Sequence, residues 1–143
     1  MIKLAERKTL EEWIEMYERK TGVKFKPEPR CKMVYFADRG FAEFAGTKNM
    51  IVIHQLCGDA RFWKQVGEVL AQEHGIRHLG TWCIREIEPY IKFFNAEIER
   101  VEELPDGLKR YHCRFKDTGK EATCSPRFKL ANGNIGYMVT WEI

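Results

Sequence analysis

A chain of 143 residues with 44% apolar composition can bury one hydrophobic core unaided, which excludes a need for structural staples and makes a single domain over residues 1–143 the expectation. Charged residues make up 31% but nearly cancel to a net charge of +3, which excludes a nucleic-acid role argued from global charge. No apolar run approaches the roughly 20 residues a membrane helix needs, Met1–Leu10 is mixed-charge rather than a signal peptide, and five widely spaced cysteines read as reduced thiols without zinc spacing, so a cytoplasmic protein without membrane or metal is expected.

From Leu10 the residues Leu10, Trp13, Ile14 and Tyr17 recur at helical spacing, Thr9 is placed to cap with Glu12 three residues later, and Gly22 ends the run. A stiff connector, Pro27–Arg30, leads to Lys32–Phe36 and Phe41–Ala45, two strands joined as a hairpin around Asp38–Gly40. Asn49–His54 reads as a buried strand, and Gly58–Asp59 opens a helix that runs to about His74. Ile76–Ile84 reads as another strand and Ile87–Ile98 as a second amphipathic helix with Pro89 in its first turn. After a turn at Leu104–Gly107, Lys109–Lys116 alternates as a strand, Asp117–Pro126 is a polar stretch, and Ile135–Trp141 is the terminal strand. The expected class is α/β or α+β, a mixed sheet flanked by helices.

The segment Gln55-Leu56-Cys57-Gly58-Asp59-Ala60 joins a strand to a helix N-terminus, where unpaired N–H groups and the helix dipole favour an anion. Gln55, Gly58 and Ala60 fill the pattern of Arg or Gln, two residues, Gly, one residue, then Gly or Ala, and the loop lies in a strand–helix–strand–helix order. In both respects the chain resembles the Gcn5-related N-acetyltransferases (GNAT), as a divergent member. The resemblance implies a GNAT-like fold, with acetyl-CoA held by its pyrophosphate on Gln55, Leu56, Cys57, Gly58, Asp59, Ala60 and Arg61. It also implies N-acyl transfer to an amine, carried by a small molecule or a macromolecule.

His54 at the mouth of the central strand suits a general base because its pKa lies near neutrality, and Glu43 on the hairpin is an alternative base or an outward-facing glutamate. Where many family members carry an aromatic pair ending in a tyrosine acid, this chain has Phe93-Phe94, leaving Tyr90 and Cys83 as alternative proton donors or core residues. Cys57 would be reactive if a helix N-terminus lowered its pKa, or else packed. Arg61, Lys64, Arg77 and Lys92 could steer phosphates, and Lys109–Lys116 could bind nucleic acid by stacking and charge, or both could be solvated faces. Asp59 and Phe94 favour a second reading: a catalytically inactive member of the fold that binds a nucleic acid or a protein partner.

Overall fold

The computed structural model describes residues 7–143, so most of the Met1–Leu10 stretch lies outside the described residues. Its elements are α1 (Leu10–Thr21), β1 (Lys32–Phe36), β2 (Gly40–Gly46), β3 (Met50–Gly58), α2 (Ala60–Glu73), β4 (His78–Cys83), α3 (Ile87–Phe93), β5 (Ala96–Glu103), β6 (Lys109–Phe115), β7 (Glu121–Lys129) and β8 (Ile135–Glu142). The fold is α+β: one eight-stranded mixed sheet in the order β1-β2-β3-β4-β8-β7-β6-β5, flanked by the three helices. No helix among the described residues is long and apolar enough to cross a membrane.

The capping box at the start of α1 forms as the spacing predicts. The Glu12 N–H donates to Thr9 Oγ1 at 3.2 Å, the Thr9 N–H donates to Glu12 Oε1 at 2.9 Å, and Gly22 closes the helix at φ 70°. Alternation along β2 and β3 then sorts the core. Phe41 and Cys57 face α1 with Trp13 and Tyr17, while Ala42, Phe44, Ile51 and Ile53 face α2 and join a larger cluster that includes Trp63 and α3.

Three readings of local structure differ from the sequence expectation. Gln55–Gly58 is not a loop but the end of β3, because β2 pairs with it as far as Gly40 with Gly58. The second amphipathic helix stops at Phe93: Asn95 takes φ 58°, a conformation asparagine tolerates, and the chain turns into β5 at Ala96. The polar stretch Asp117–Pro126 contains most of β7, whose Ala122 and Cys124 point into the core and whose Pro126 lies beyond the last residue paired with β6.

What positions the site is the pairing of β3. It runs parallel to β4 over Met50–Ile53 against His78–Thr81 and then separates from it, while its other edge stays hydrogen-bonded to β2 up to Gly58. Beyond Ile53 the sheet is therefore open between β3 and β4.

Candidate functional site

A cleft of about 590 Å³ lies at this opening. Its walls are β3 from His54 to Gly58, β4 with Trp82, α3 with Tyr90 and Phe93, and α1 with the connector that follows it.

A β-bulge builds the chemical end of the cleft. Between the pairs Ala42–Leu56 and Phe44–Ile53, β3 has one residue more than β2, so His54 and Gln55 together oppose Glu43. Both side chains reach that one carboxylate. Glu43 Oε1 accepts a short hydrogen bond from Gln55 Nε2 and lies 3.6 Å from His54 Nδ1, and Glu43 Oε2 accepts from the Glu28 N–H at 2.9 Å. Gln55 Oε1 in turn accepts from the Tyr17 hydroxyl at 2.9 Å, and its amide also donates to the Lys26 carbonyl.

Glu43 is thus 1% exposed, not the outward-facing glutamate of a hairpin. Burial and the Glu43 carboxylate push the Tyr17 hydroxyl up to about 12. Tyr17 therefore stays protonated and donates. The His54 ring is held differently: Nδ1 is buried without a hydrogen-bond partner, yet 38% of the side chain is exposed, on a residue that lines the cleft. An imidazole with one nitrogen beside a buried carboxylate and part of its ring in an open cleft has the arrangement of an oriented base.

Across the gap, Thr81 Oγ1 donates to the Ile53 carbonyl at 2.9 Å, at the point where the strands part, and the Tyr90 hydroxyl lies 3.2 Å from the same Thr81 oxygen. Tyr90 also donates to the Trp82 carbonyl at 3.3 Å. Burial pushes its hydroxyl well above the ordinary phenol range, so it is present as the proton-bearing form. The structure thus brings His54 and Tyr90 to one cleft, with Glu43 buried behind His54 rather than lining it.

The remaining candidates fare differently. Cys83 is fully buried, its thiol turned to the Arg85 carbonyl and pushed up to about 11 by burial. Cys57 packs against α1, and burial raises rather than lowers its pKa, so the activating effect of a helix N-terminus is absent. Phe94 is core, packed against Tyr90 and Trp141.

The α2 N-terminus is occupied by the chain itself. Asp59 is the N-cap: Oδ1 accepts from the Phe62 N–H at 3.2 Å, Oδ2 pairs with Arg39 Nη1, and the Asp59 N–H donates to the Arg39 carbonyl at 2.9 Å. Gly58 has φ 109°, and a Cβ there would lie 2.2 Å from the Arg39 carbonyl oxygen. The glycine is required by the contact between β2 and β3. Gln55, Leu56, Cys57 and Gly58 line the cleft, whereas Asp59, Ala60 and Arg61 do not, and Arg61 reaches Asn95 instead.

The proposed phosphate-steering cations are also placed elsewhere. Lys64 is 1% exposed, lies over the Phe115 ring, and is paired with Glu68 and Asp117, while Arg77 pairs with Glu142 and neither Arg77 nor Lys92 lines the cleft. In β6 the core takes Tyr111, Cys113 and Phe115, while on the outer face Arg110 pairs with Glu102 and Arg114 with Glu99 and Glu121, His112 bonds the same Glu102, and Lys116 just beyond the strand pairs with Glu97. The pattern of that run is accounted for by an alternating, ion-paired strand. Among the described residues no group of three or more His, Cys, Asp or Glu is arranged to hold a metal ion.

Sequence reasoning missed the cations that do line the cleft: Lys20 at the end of α1, Lys24 and Lys26 in the connector, and Arg85 after β4. The alternating lysines of Val23-Lys24-Phe25-Lys26 were the available signal, with Phe25 turned to Tyr17 and Phe41. Comparison with known proteins gives no matching family model, no similar curated protein and no similar solved structure.

Proposed function

We propose that the protein is an acyl-CoA-dependent N-acyltransferase of GNAT-like type, working in the cleft between β3 and β4. The observation that carries this reading is the parallel strand pair that opens after Ile53 and Thr81 with His54 on one wall and Tyr90 on the other. Acetyl-CoA, when bound, supplies the activated acyl group.

The chain's own groups fit an extended, amide-bearing cofactor arm better than they fit a pyrophosphate loop. From His54 to Gly58, β3 is paired only with β2, and its other edge faces the cleft, where backbone donors and acceptors can take up such an arm. The α2 N-terminus, by contrast, already holds the Asp59 carboxylate.

His54 takes the proton from the amine, and the Glu43 carboxylate, 3.6 Å from Nδ1 and fixed by the Gln55 amide and the Glu28 N–H, is the positioning residue whose charge favours the protonated ring. Tyr90 holds a proton at the opposite wall, where a leaving thiolate would need one. Holding two reactants in one cleft supplies much of the rate enhancement in such a reaction. Free thiols at all five cysteines suit a reducing, cytoplasmic setting.

The test is a thermal-shift titration with acetyl-CoA followed by amine-dependent turnover. Saturation at about a hundred times the dissociation constant adds about 2.7 kcal/mol to stability. His54→Ala should then lower turnover roughly a hundredfold with the shift retained. A wild-type protein with no shift overturns the reading and favours a binding module; turnover unchanged by His54→Ala removes the base.

A further inference from the structure

We propose that Lys20, Lys24, Lys26 and Arg85 form an anion subsite in the cleft, which takes a phosphate or carboxylate group of the bound ligand. The inference rests on the proposed site but not on its chemistry.

The cleft carries four cations against a single acid. That acid, Glu28, is turned to Arg30, which bonds its Oε1 at 3.0 Å and holds its carboxyl below the usual range. None of the four cations has a carboxylate partner among the described residues, whereas Arg110 and Arg114 of β6 and Lys64 on α2's buried face are ion-paired. A concave wall with unmatched charge of one sign focuses potential into the space it encloses.

The four are also placed by the fold rather than scattered. Lys20 ends α1, and the Gly22 cap turns the chain so that Lys24 and Lys26 follow along the same wall, fixed by Phe25 in the aromatic cluster and by the Lys26 carbonyl bound to Gln55. Arg85 stands on the opposite wall, with its guanidinium 5.4 Å from the Tyr90 ring and 5.2 Å from the Phe93 ring, an anchorage that leaves its charge free for a ligand. A second cavity of about 430 Å³ shares Lys20 and Arg85 with the cleft, so the two cations stand where the two spaces meet. Their charge reaches the Cys57 thiol in the cleft wall: burial raises its pKa, and Lys20 and Arg85 act against that rise.

The closed α2 N-terminus gives the subsite its sense. An anionic ligand meets the Asp59 carboxylate at that helix, and within the cleft it finds the unmatched positive charge on the side of α1 and Arg85. The anion can belong to the cofactor, as its phosphates, or to the amine acceptor, as a phosphate or carboxylate. The proposal concerns the chemistry the two share.

Calorimetric binding to the wild type and to the triple variant Lys20→Gln, Lys24→Gln, Lys26→Gln distinguishes the sources. All three lysines are exposed, and circular dichroism checks that the variant stays folded. The probes are acetyl-CoA against phosphate-free acetylpantetheine, and 4-(aminomethyl)benzoate against benzylamine.

If the cofactor supplies the anion, the variant loses about tenfold or more in affinity for acetyl-CoA and less than threefold for acetylpantetheine, and the wild-type affinity falls with added salt. If the acceptor supplies it, the same contrast appears between the aminobenzoate and benzylamine. A wild type that binds each charged probe no better than its neutral counterpart, or a variant that keeps the wild-type preference, overturns the subsite. Acetyl-CoA that fails to bind while the aminobenzoate keeps its lysine-dependent preference would sink the acyltransferase reading and leave the subsite standing.

Discussion

At Asp59 the polar groups of the chain are consumed by the chain itself, whereas a few residues earlier, at His54, a buried ring nitrogen has no hydrogen-bond partner and an open cleft lies beside it. Asp59 lies in the short segment that the sequence marks as an anion loop, and His54 immediately precedes that segment. The difference lies in the neighbours. At Gly58 and Asp59, β2 is still paired and Arg39 supplies both a carbonyl and a guanidinium, while at His54 the partner strand β4 has just departed. A helix N-terminus attracts anions only while its donors are free, and a histidine ring is available for chemistry only where the sheet opens.

The sharpest way to break the comparison is Gly58→Val. If the glycine served a ligand, the substitution would leave the fold intact. Instead a Cβ would meet the Arg39 carbonyl oxygen at 2.2 Å, at a φ of 109° that valine does not adopt. We expect a loss of more than about 4 kcal/mol, or failure to fold, read from the denaturant midpoint. A variant of near wild-type stability would return the glycine to the role of ligand contact.

At the open end the expected effect is smaller. Glu43→Ala removes the acceptor of the Glu28 N–H and of the Gln55 amide, both partly buried, and costs about 3 kcal/mol by the same measurement. A loss below about 0.5 kcal/mol would show that water replaces the carboxylate there, which would undercut its positioning of His54.

Tyr17 gives a pH test of the same network. Its folded pKa, about 12, lies above the unfolded value near 10, so the folded state holds the proton more tightly. The contribution is fully present below pH 10 and is lost as pH rises from 10 through 12. Discounted for partial exposure, it amounts to about 2 kcal/mol. The stability gap between wild type and Tyr17→Phe should therefore narrow by that amount between pH 9 and pH 12; a constant gap would mean that Tyr17 is not buried beside Glu43.

Legibility in the sequence followed the range of the interaction. The α1 capping box, the β1–β2 hairpin and the strand–helix–strand unit are local patterns, and each forms as the spacing predicts except that β3 runs on to Gly58. The sequence predicts helix α3 running on to Ile98 because the apolar spacing persists through Phe94, and only the conformation of Asn95 stops it. Strand β7 was hidden because its inward residues, Ala122 and Cys124, are small and its sequence includes a proline. In the site, residue type and position nominate His54 and Tyr90 and the structure places both at the cleft, but the burial of Glu43 depends on a bulge that pairs one residue of β2 with two of β3. Lys20, Lys24, Lys26 and Arg85 come together only when α1 and the end of β4 face each other across the cleft, which no sequence spacing encodes.

The smallest expected effect bears on the closed end. Asp59 caps α2 through the Phe62 N–H and pairs with Arg39, whose side chain and its own are both partly exposed. Loss of the cap in Asp59→Ala costs about 1 kcal/mol, while Asp59→Asn keeps a capping oxygen and forfeits only an exposed ion pair, a few tenths of a kcal/mol. The same pair of variants reads the electrostatics of the α2 N-terminus. Were the carboxylate an unopposed charge facing the ligand's phosphates, its neutralisation in Asp59→Asn would raise acetyl-CoA affinity about tenfold or more. Because the Arg39 guanidinium already offsets it, and because the unmatched cations lie across the cleft at Lys20 and Arg85, the change expected by calorimetry is below about threefold. A tenfold gain would place the phosphates at the helix after all and reopen the end of β3 as the anion site.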